Sequence, residues 1–370
     1  MQKHTLAQGG RSLGLAMAFV LCSSLPVYAL EAPENYAGKI ADSVKERRVA
    51  FPPKANVQVE VSGEEVEPEA SKEGYKFKVS GYHITGISAV NELALREDRL
   101  QALLKDTTGQ ELTLSELQAV ARRIAKHFRA QGYMVANAYI PPQNIVDGIV
   151  EIVVVPGKYG AIELRNHSRI SSNTARKMLN SLKAGSYVKK DKLDRTLLLI
   201  SDTGGIAIKA TLKPGQTSGT SDLVVDISNT DALTADLSMD NYGNRFTGKD
   251  LRTLSLDAHN LSGSGDQASL VINNSGGGLT NIGVKYLLPL GGRGLKLGLG
   301  HERLHYSLGQ EFEALDAHGE AQNTTLFATY PLIRSRTYNL YASLGYTDKQ
   351  LEDRIDGQNN AFTQRSADVW

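Results

Sequence analysis

From Leu233 onward the chain alternates apolar and polar residues with a period of two, and this constrains its fold more than any other feature. Leu233, Ala235, Leu237 and Met239 alternate with Thr234, Asp236, Ser238 and Asp240. The pattern returns in Ile282, Val284, Tyr286 and Leu288, in Leu295, Leu297 and Leu299, in Leu326, Ala328 and Tyr330, and in Tyr338, Leu340, Ala342, Leu344 and Tyr346. Successive side chains of a strand point to opposite faces, so each segment predicts a strand with one apolar face. Ser262–Gly265, Gly291–Gly294 and Arg334–Arg336 separate neighbouring segments and are short enough only for hairpins. The connections near Gln310–Gln322 and Leu351–Phe362 are long. Short turns at one end and long loops at the other are the parity of a transmembrane β-barrel, and strands near 10 residues, inward glycines and interfacial tyrosines suit that solvent. A soluble β-sandwich also alternates and is the competing reading.

Two motifs inside this region imitate enzyme sites. His301-Glu302-Arg303-Leu304-His305 matches the H-E-x-x-H of zinc proteases, which needs a helix to bring both histidines to one metal. It continues the alternation of Leu295, Leu297 and Leu299 without a cap, and in an extended chain its histidines lie roughly 13 Å apart, whereas a Zn–N bond is about 2 Å. Gly243 to Asp250 has the spacing of a P-loop, but Asp250 stands where Ser or Thr would bind magnesium, and a strand rather than a helix is predicted to follow. No Ser/His/Asp or paired-carboxylate arrangement accompanies a glycine elbow, so no catalytic residue, metal or cofactor is expected. Lys and Arg number 41 against 40 Asp and Glu, for a net charge of +1, which gives no electrostatic case for a nucleic-acid partner.

The N-terminus is read as an export signal. Lys3 and Arg11 precede the apolar run Leu13 to Leu21, and Val27-Tyr28-Ala29 supplies a cleavage site after Ala29. A retained anchor would need a longer apolar run, and lipid attachment at Cys22 would want a small residue at Leu21. The single cysteine, Cys22, lies inside this signal, so the mature chain has neither thiol chemistry nor a disulfide. Residues 30 to 75 are polar and acidic, with Pro33, Pro52-Pro53 and a cluster of glutamates, and read as a linker. Tyr36, Ile40 and Val44 recur every four residues and predict one short helix within it.

Between linker and alternating region lie two units with the same order of elements. In the first, an extended stretch from Phe77 to Ile84 leads to helices at Glu97–Lys105 and Leu114–Gln131, then to strands at Met134–Ile140 and Ile149–Val155. Thr113 and Glu116 form a capping box, Leu117, Val120, Ala121, Ile124 and Phe128 form one stripe, and Gly132 stops the helix. The second unit repeats this with Ala161–Leu164, helices at Asn173–Leu182 and Asp191–Asp202, and strands at Ile206–Leu212 and Leu223–Ile227. The inferred module is β-α-α-β-β, present twice.

At Gly132-Tyr133 and through Ala138 to Gly157 (AYIPPQNIVDGIVEIVVVPG) the chain resembles the first polypeptide-transport-associated (POTRA) domain of two-partner secretion transporters, the ShlB/FhaC/HecB family. Tyr330 to Tyr346 (YPLIRSRTYNLYASLGY) is similar to a hairpin of the same family's barrel. The resemblance implies an α+β pair of POTRA domains followed by an antiparallel transmembrane β-barrel. Its divisions are a signal peptide at 1–29, plug helix and linker at 30–75, POTRA domains at 76–156 and 157–230, and barrel strands at 231–370. It further implies an outer-membrane pore that exports one large exoprotein, whose TpsA-type secretion domain the POTRA domains capture in the periplasm. Outer-membrane lipids, periplasmic chaperones and the barrel assembly machinery are the other implied partners.

In the family's topology the second strand of each POTRA domain is a free edge for β-augmentation. Carried onto this chain, those residues are Met134, Val135, Ala136, Asn137, Ala138, Tyr139 and Ile140, and Ile206, Ala207, Ile208, Lys209, Ala210, Thr211 and Leu212. The alternative reading is that these edges are solvated or occupied by the protein's own segments. Tyr36, Ile40 and Val44 would belong to the plug helix. The family has sixteen barrel strands and a V-R-G-Y or V-R-G-F loop motif. With about eight strands and no such motif before Trp370, the chain is expected to be the N-terminal part of such a barrel. Two rivals remain: an outer-membrane assembly factor of the same superfamily, and a soluble periplasmic binding protein or adhesin.

Overall fold

The computed structural model of the protein describes residues 57–62, 74–88, 90, 95–356 and 361–369. It begins with a strand, β1 (Val57–Val61), inside the segment whose composition reads as a linker. The first unit follows as β2 (Lys76–Lys78), β3 (Gly81–Thr85), α1 (Glu97–Leu103), β4 (Glu111–Thr113), α2 (Leu114–Ala130), β5 (Asn137–Tyr139) and β6 (Ile149–Val155). The extended stretch expected at Phe77–Ile84 is divided. β2 pairs with β4, while β3 joins the main sheet in the order β3-β6-β5. Helix α2 is capped as its sequence requires: Glu116 N–H donates to Thr113 Oγ1 at 3.3 Å and Thr113 N–H to Glu116 Oε2 at 2.8 Å. Its stripe Leu117, Val120, Ala121, Ile124 and Phe128 is buried against Val150, Ile152 and Val154 of β6.

The second unit comprises β7 (Lys158–His167), α3 (Ser172–Leu179), α4 (Lys190–Ser201), β8 (Ile206–Pro214) and β9 (Thr220–Asn229). Leu193, Leu197 and Ile200 of α4 pack on the inward rows of β8 and β9. The two units are stitched at Tyr133. Met134 N–H donates to Val188 O at 3.1 Å, Lys190 N–H to Gly132 O at 2.9 Å, and the Lys189 ammonium lies 3.5 Å above the Tyr133 ring. Gly157 has φ +81°, and a Cβ there would collide with Val135. This stitching corrects the expected strand Met134–Ile140. Met134 spends its N–H on Val188, Met134 and Val135 pack against the second unit's core, and only Asn137–Tyr139 pairs with β6.

Eight antiparallel strands follow in sequential order: β10 (Leu233–Asp240), β11 (Leu251–His259), β12 (Gln267–Asn274), β13 (Leu279–Leu290), β14 (Leu295–Ser307), β15 (Ala317–Arg334), β16 (Asn339–Ile355) and β17 (Ala361–Val369). Their register aligns the apolar positions into rows, as in Leu256–Leu270–Val284 and in Tyr286–Leu299–Leu326–Tyr346. On the same face, in the neighbouring rows Leu237–Leu254–Ile272 and Leu297–Ala328–Leu344, Leu237 and Leu344 are each 74% exposed. One face of the sheet therefore carries a broad apolar band that no described residue covers, bounded toward the far end by His301, Arg303 and Glu320. The opposite face carries Lys285, Gly300, Thr325 and Thr347, and Gly298 leaves the space occupied by the Phe327 ring. No helix among the described residues is long and apolar enough to cross a membrane, which says nothing about strands.

Three turns of this sheet, at 260–266, 291–294 and 335–338, meet the second unit, whereas the four-residue turn 275–278 lies at the far end beside Thr247. Gly263 O accepts from Ser171 N–H at 2.8 Å, and Gly292 lies so close to the Lys177 carbonyl that a Cβ would overlap it. The C-terminal end of α4, where unpaired carbonyls concentrate negative charge, receives two cations. Lys296 Nζ donates to Asp202 O at 2.9 Å, and Arg334 forms two 2.7 Å bonds to the Asp202 carboxylate. Arg195 reaches back from α4 to Pro331 O at 2.7 Å. The turn before β12 is built around buried Asp266, which accepts from Ser262 N–H at 2.9 Å, Ser262 Oγ at 2.7 Å and Tyr286 OH at 2.8 Å. Burial alone would raise its carboxyl, but these donors outweigh burial and hold it below the usual range. The turn is therefore firmest with Asp266 ionised and weakens as pH falls through that lowered value.

Two outcomes follow for stability. Thr113→Ala removes the α2 cap and should cost about 1 kcal/mol in urea denaturation of the solubilised protein. Asp202→Ala leaves Arg334 unpaired in the seam, and a loss of about 3 kcal/mol is expected in the same measurement; a loss under about 1 kcal/mol would mean that water already solvates the pair.

Candidate functional site

A strand edge presents a row of N–H and C=O groups that an extended partner can read, so the sheet edges of the two α/β units are the candidate site. β8 offers the longest unbroken run. Ile206, Ile208, Ala210 and Leu212 point into the core, while Lys209 faces solvent. β9 pairs antiparallel along one side of it. The other side, expected as a capture edge, is filled by β1.

β1 runs parallel to β8 in the register Val57↔Ile208, Val59↔Ala210 and Val61↔Leu212. Val57 is buried in the second unit's core and Val59 packs against it, so β1 completes the core as well as the ladder. Glu60 forms a 3.0 Å ion pair with Lys209, and Ser62 closes the strand with N–H and Oγ both donating to Leu212 O, at 2.9 and 3.0 Å. The Glu60–Lys209 pair is half exposed on both sides and adds little. The parallel ladder and two buried valines are what retain the strand. Sequence reasoning missed β1, although Val57-Gln58-Val59-Glu60-Val61 alternates with a period of two directly after Pro52-Pro53. The glutamates and prolines around it set the composition of the whole segment and hid a five-residue pattern.

The edges at β5 and β7 are blunted. On β5 only Asn137, Ala138 and Tyr139 are in the strand, and Ala138 N–H is already capped by Asn137 Oδ1 at 2.7 Å. Ile140 packs against the first unit's core rather than extending the edge. β7, at the opposite margin of the four-stranded sheet, is bulged between Tyr159 and Ile162, where Ala161 N–H turns to Asp222 Oδ1 at 2.7 Å. Its exposed Glu163 bonds Arg165 at 2.8 Å, which holds the Glu163 carboxyl below the usual range. Bulges and edge charges are how sheets discourage pairing. Beneath the bulge, burial pushes the Tyr159 phenol up, with Asp191 adding to the effect.

The enzyme-like motifs lie elsewhere. His301 to His305 belong to β14, with His301, Arg303 and His305 on one face and Glu302 and Leu304 on the other. His301 Nδ1 lies 3.0 Å from Thr324 Oγ1, and Arg303 pairs with Glu320 at 2.6 Å. Leu304 and Tyr306 enter a small core with Leu251 and Leu279 at the end of the sheet away from the α/β units, over which the rings of Phe246 and Phe312 stack edge to face at 5.1 Å. After Gly243 to Asp250 comes strand β11, so no helix N-terminus faces that loop. Among the described residues one group with metal-ligating side chains comes together, Asp316, His318 and Asp356, and none of it belongs to the H-E-x-x-H stretch. Ala29, Tyr36, Ile40 and Val44 lie outside the described residues.

Comparison with known proteins agrees with this architecture. A model of the POTRA domain, ShlB-type, matches residues 77–157, and one of the haemolysin secretion/activation protein ShlB/FhaC/HecB matches residues 219–369. The heme/hemopexin transporter protein HuxB of Haemophilus influenzae is 28% identical over 344 residues, covering 92% of this chain and 59% of its own length. The chain thus spans well under two thirds of the curated relative. Among solved structures, CdiB from Escherichia coli superposes with a TM-score of 0.61 at 18% identity, over 81% of this chain and 56% of that one. CdiB from Acinetobacter baumannii gives 0.52 at 17% identity, over 89% and 64%. Paired α/β units planted on the short turns of an outward-apolar antiparallel sheet, with both family models matching in order along the chain, mean that the protein belongs to the ShlB/FhaC/HecB family of two-partner secretion transporters.

Proposed function

We propose that the protein serves as the transporter of a two-partner secretion system, exporting a large exoprotein such as a haemolysin, adhesin or contact-dependent inhibition toxin across a Gram-negative outer membrane. The observation that carries this reading is one chain joining a sheet with a broad exposed apolar band to two α/β units, one of which holds an added strand on its longest unbroken edge. Residues 231–370 meet lipid through the outward rows, and 76–156 and 157–230 work in the periplasm at the short-turn end. Residues 1–29 direct export and 30–75 supply plug helix and linker. The likeness to a heme/hemopexin transporter makes a heme-acquisition exoprotein the first passenger to try. Periplasmic chaperones and the barrel assembly machinery bring the chain to the membrane, and neither nucleic acid nor a cofactor takes part.

Capture of the passenger's secretion domain falls to β8, residues Ile206 to Leu212. Its edge has the length and the unbroken register to receive an extended segment, and β1 stands in for that segment. The passenger strand must therefore displace β1. β5 is the weaker candidate, since its three residues offer little beyond the capped Ala138.

Two measurements test these assignments. Cysteines at the register partners Gln58 and Lys209 should form a disulfide in a mature chain that has no other thiol. The oxidised protein is expected to bind a purified passenger secretion domain at least roughly tenfold more weakly than the reduced one, a difference of about 1.4 kcal/mol. Equal binding in both states would remove β8 as the capture edge. Cell fractionation addresses location: the chain should require detergent for extraction, and recovery in the soluble periplasm would defeat the membrane assignment.

A further inference from the structure

The turn Arg334-Ser335-Arg336 lies against helix α4, and its two arginines sit in different surroundings. Arg334 has a side chain 5% exposed and holds Asp202, itself 15% exposed, through two 2.7 Å bonds. Arg336 is 42% exposed. Its Nε donates to Asp194 Oδ1 at 2.8 Å, and its Nη1 donates to the carbonyl of Val57 at 3.3 Å. Asp194 is a buried residue of α4, and Val57 is the first residue of β1. Arg336 thus joins the eight-stranded sheet, the second α/β unit and the strand that occupies β8.

We propose that Arg336 is a releasable latch on β1, through which a turn of the barrel sheet stabilises the strand in the β8 slot. The chemistry separates two tiers. A dry, bidentate arginine–carboxylate pair is costly to break, because either partner left alone is a buried charge. A half-exposed guanidinium is rehydrated when a partner departs, so such bonds exchange readily. Asp194 fixes the orientation of Arg336, leaving a charge-assisted donor aimed at a backbone carbonyl. When β1 leaves, Arg336 loses Val57 but keeps Asp194, and Arg334 keeps the second unit seated. The slot can then open without undocking the unit that contains it. The consequence for export rests on the reading of β8 as the capture edge: an incoming strand competes with a latched β1, so Arg336 sets how tightly that strand must bind.

Hydrogen–deuterium exchange of the detergent-solubilised full chain, with no passenger present, tests the latch apart from capture. Arg336→Ala is expected to speed exchange in a peptide spanning 57–62 by about tenfold, while α4 and α2 exchange as in the parent protein. Arg336→Gln, which keeps most of the volume, and Asp194→Asn, which disorients the guanidinium, should act in the same direction by lesser factors. Arg334→Ala should instead loosen α4 and β1 together. Exchange of 57–62 within twofold of the parent in both Arg336 variants would overturn the latch. So would acceleration of α4 along with β1 in those variants, because Arg336 would then be a clamp for the whole unit. Passenger binding that ignores the Gln58–Lys209 disulfide would count against capture at β8 and leave these exchange outcomes unaffected.

Discussion

Each residue of a strand except proline carries one backbone donor and one acceptor, and a strand at the margin of a sheet leaves half of them facing outward. The protein meets this constraint differently at β5, β7 and β8. β5 is cut to three residues and capped by the side chain of Asn137. β7 is bulged and charged. β8 is long and regular, and takes a segment of the same chain to complete it. The most regular edge is thus the one that the protein keeps covered. A bare edge of that length would pair with any extended chain it met, whereas an edge held by a short internal strand yields only to a segment that pairs better.

The seam between the second unit and the eight-stranded sheet follows from a different constraint. Short hairpin turns crowd the sheet's near end and present glycines at Gly263 and Gly292, where backbones approach closely. The carboxyl end of α4 brings concentrated negative charge to the same place, and Lys296 and Arg334 answer it. Neither half of this arrangement is a site in its own right. Together they fix the direction in which the β8 slot faces relative to the inward, polar side of the sheet.

The H-E-x-x-H stretch illustrates how far residue spacing depends on the backbone that carries it. On a helix, His301 and His305 would lie on one face one turn apart. On β14 they also share a face, but two strand repeats apart, and each finds its own surroundings: His301 beside Thr324, and the intervening Arg303 with Glu320. The inward partners of the same stretch, Leu304 and Tyr306, serve the small core at the far end of the sheet.

The sequence by itself determined which residues form strands and helices wherever a period ran long enough to be read. The capping box at Thr113, the stripe of α2 and the alternation after Leu233 all express local stereochemistry, and each survives in the folded chain. Tertiary structure decided where short segments went. Met134 and Val135 read as strand but were drawn into the junction, because Val188 and the space above Gly157 competed for them with β6. Val57 to Val61 read as linker and became a strand, because a ready-made edge 150 residues downstream supplied the hydrogen bonds and the apolar cover that five residues cannot supply for themselves. The pairing of Arg334 with Asp202 and of Arg336 with Asp194 was likewise invisible in the chain, since a salt bridge between distant residues has no period and exists only after the fold has brought its partners together.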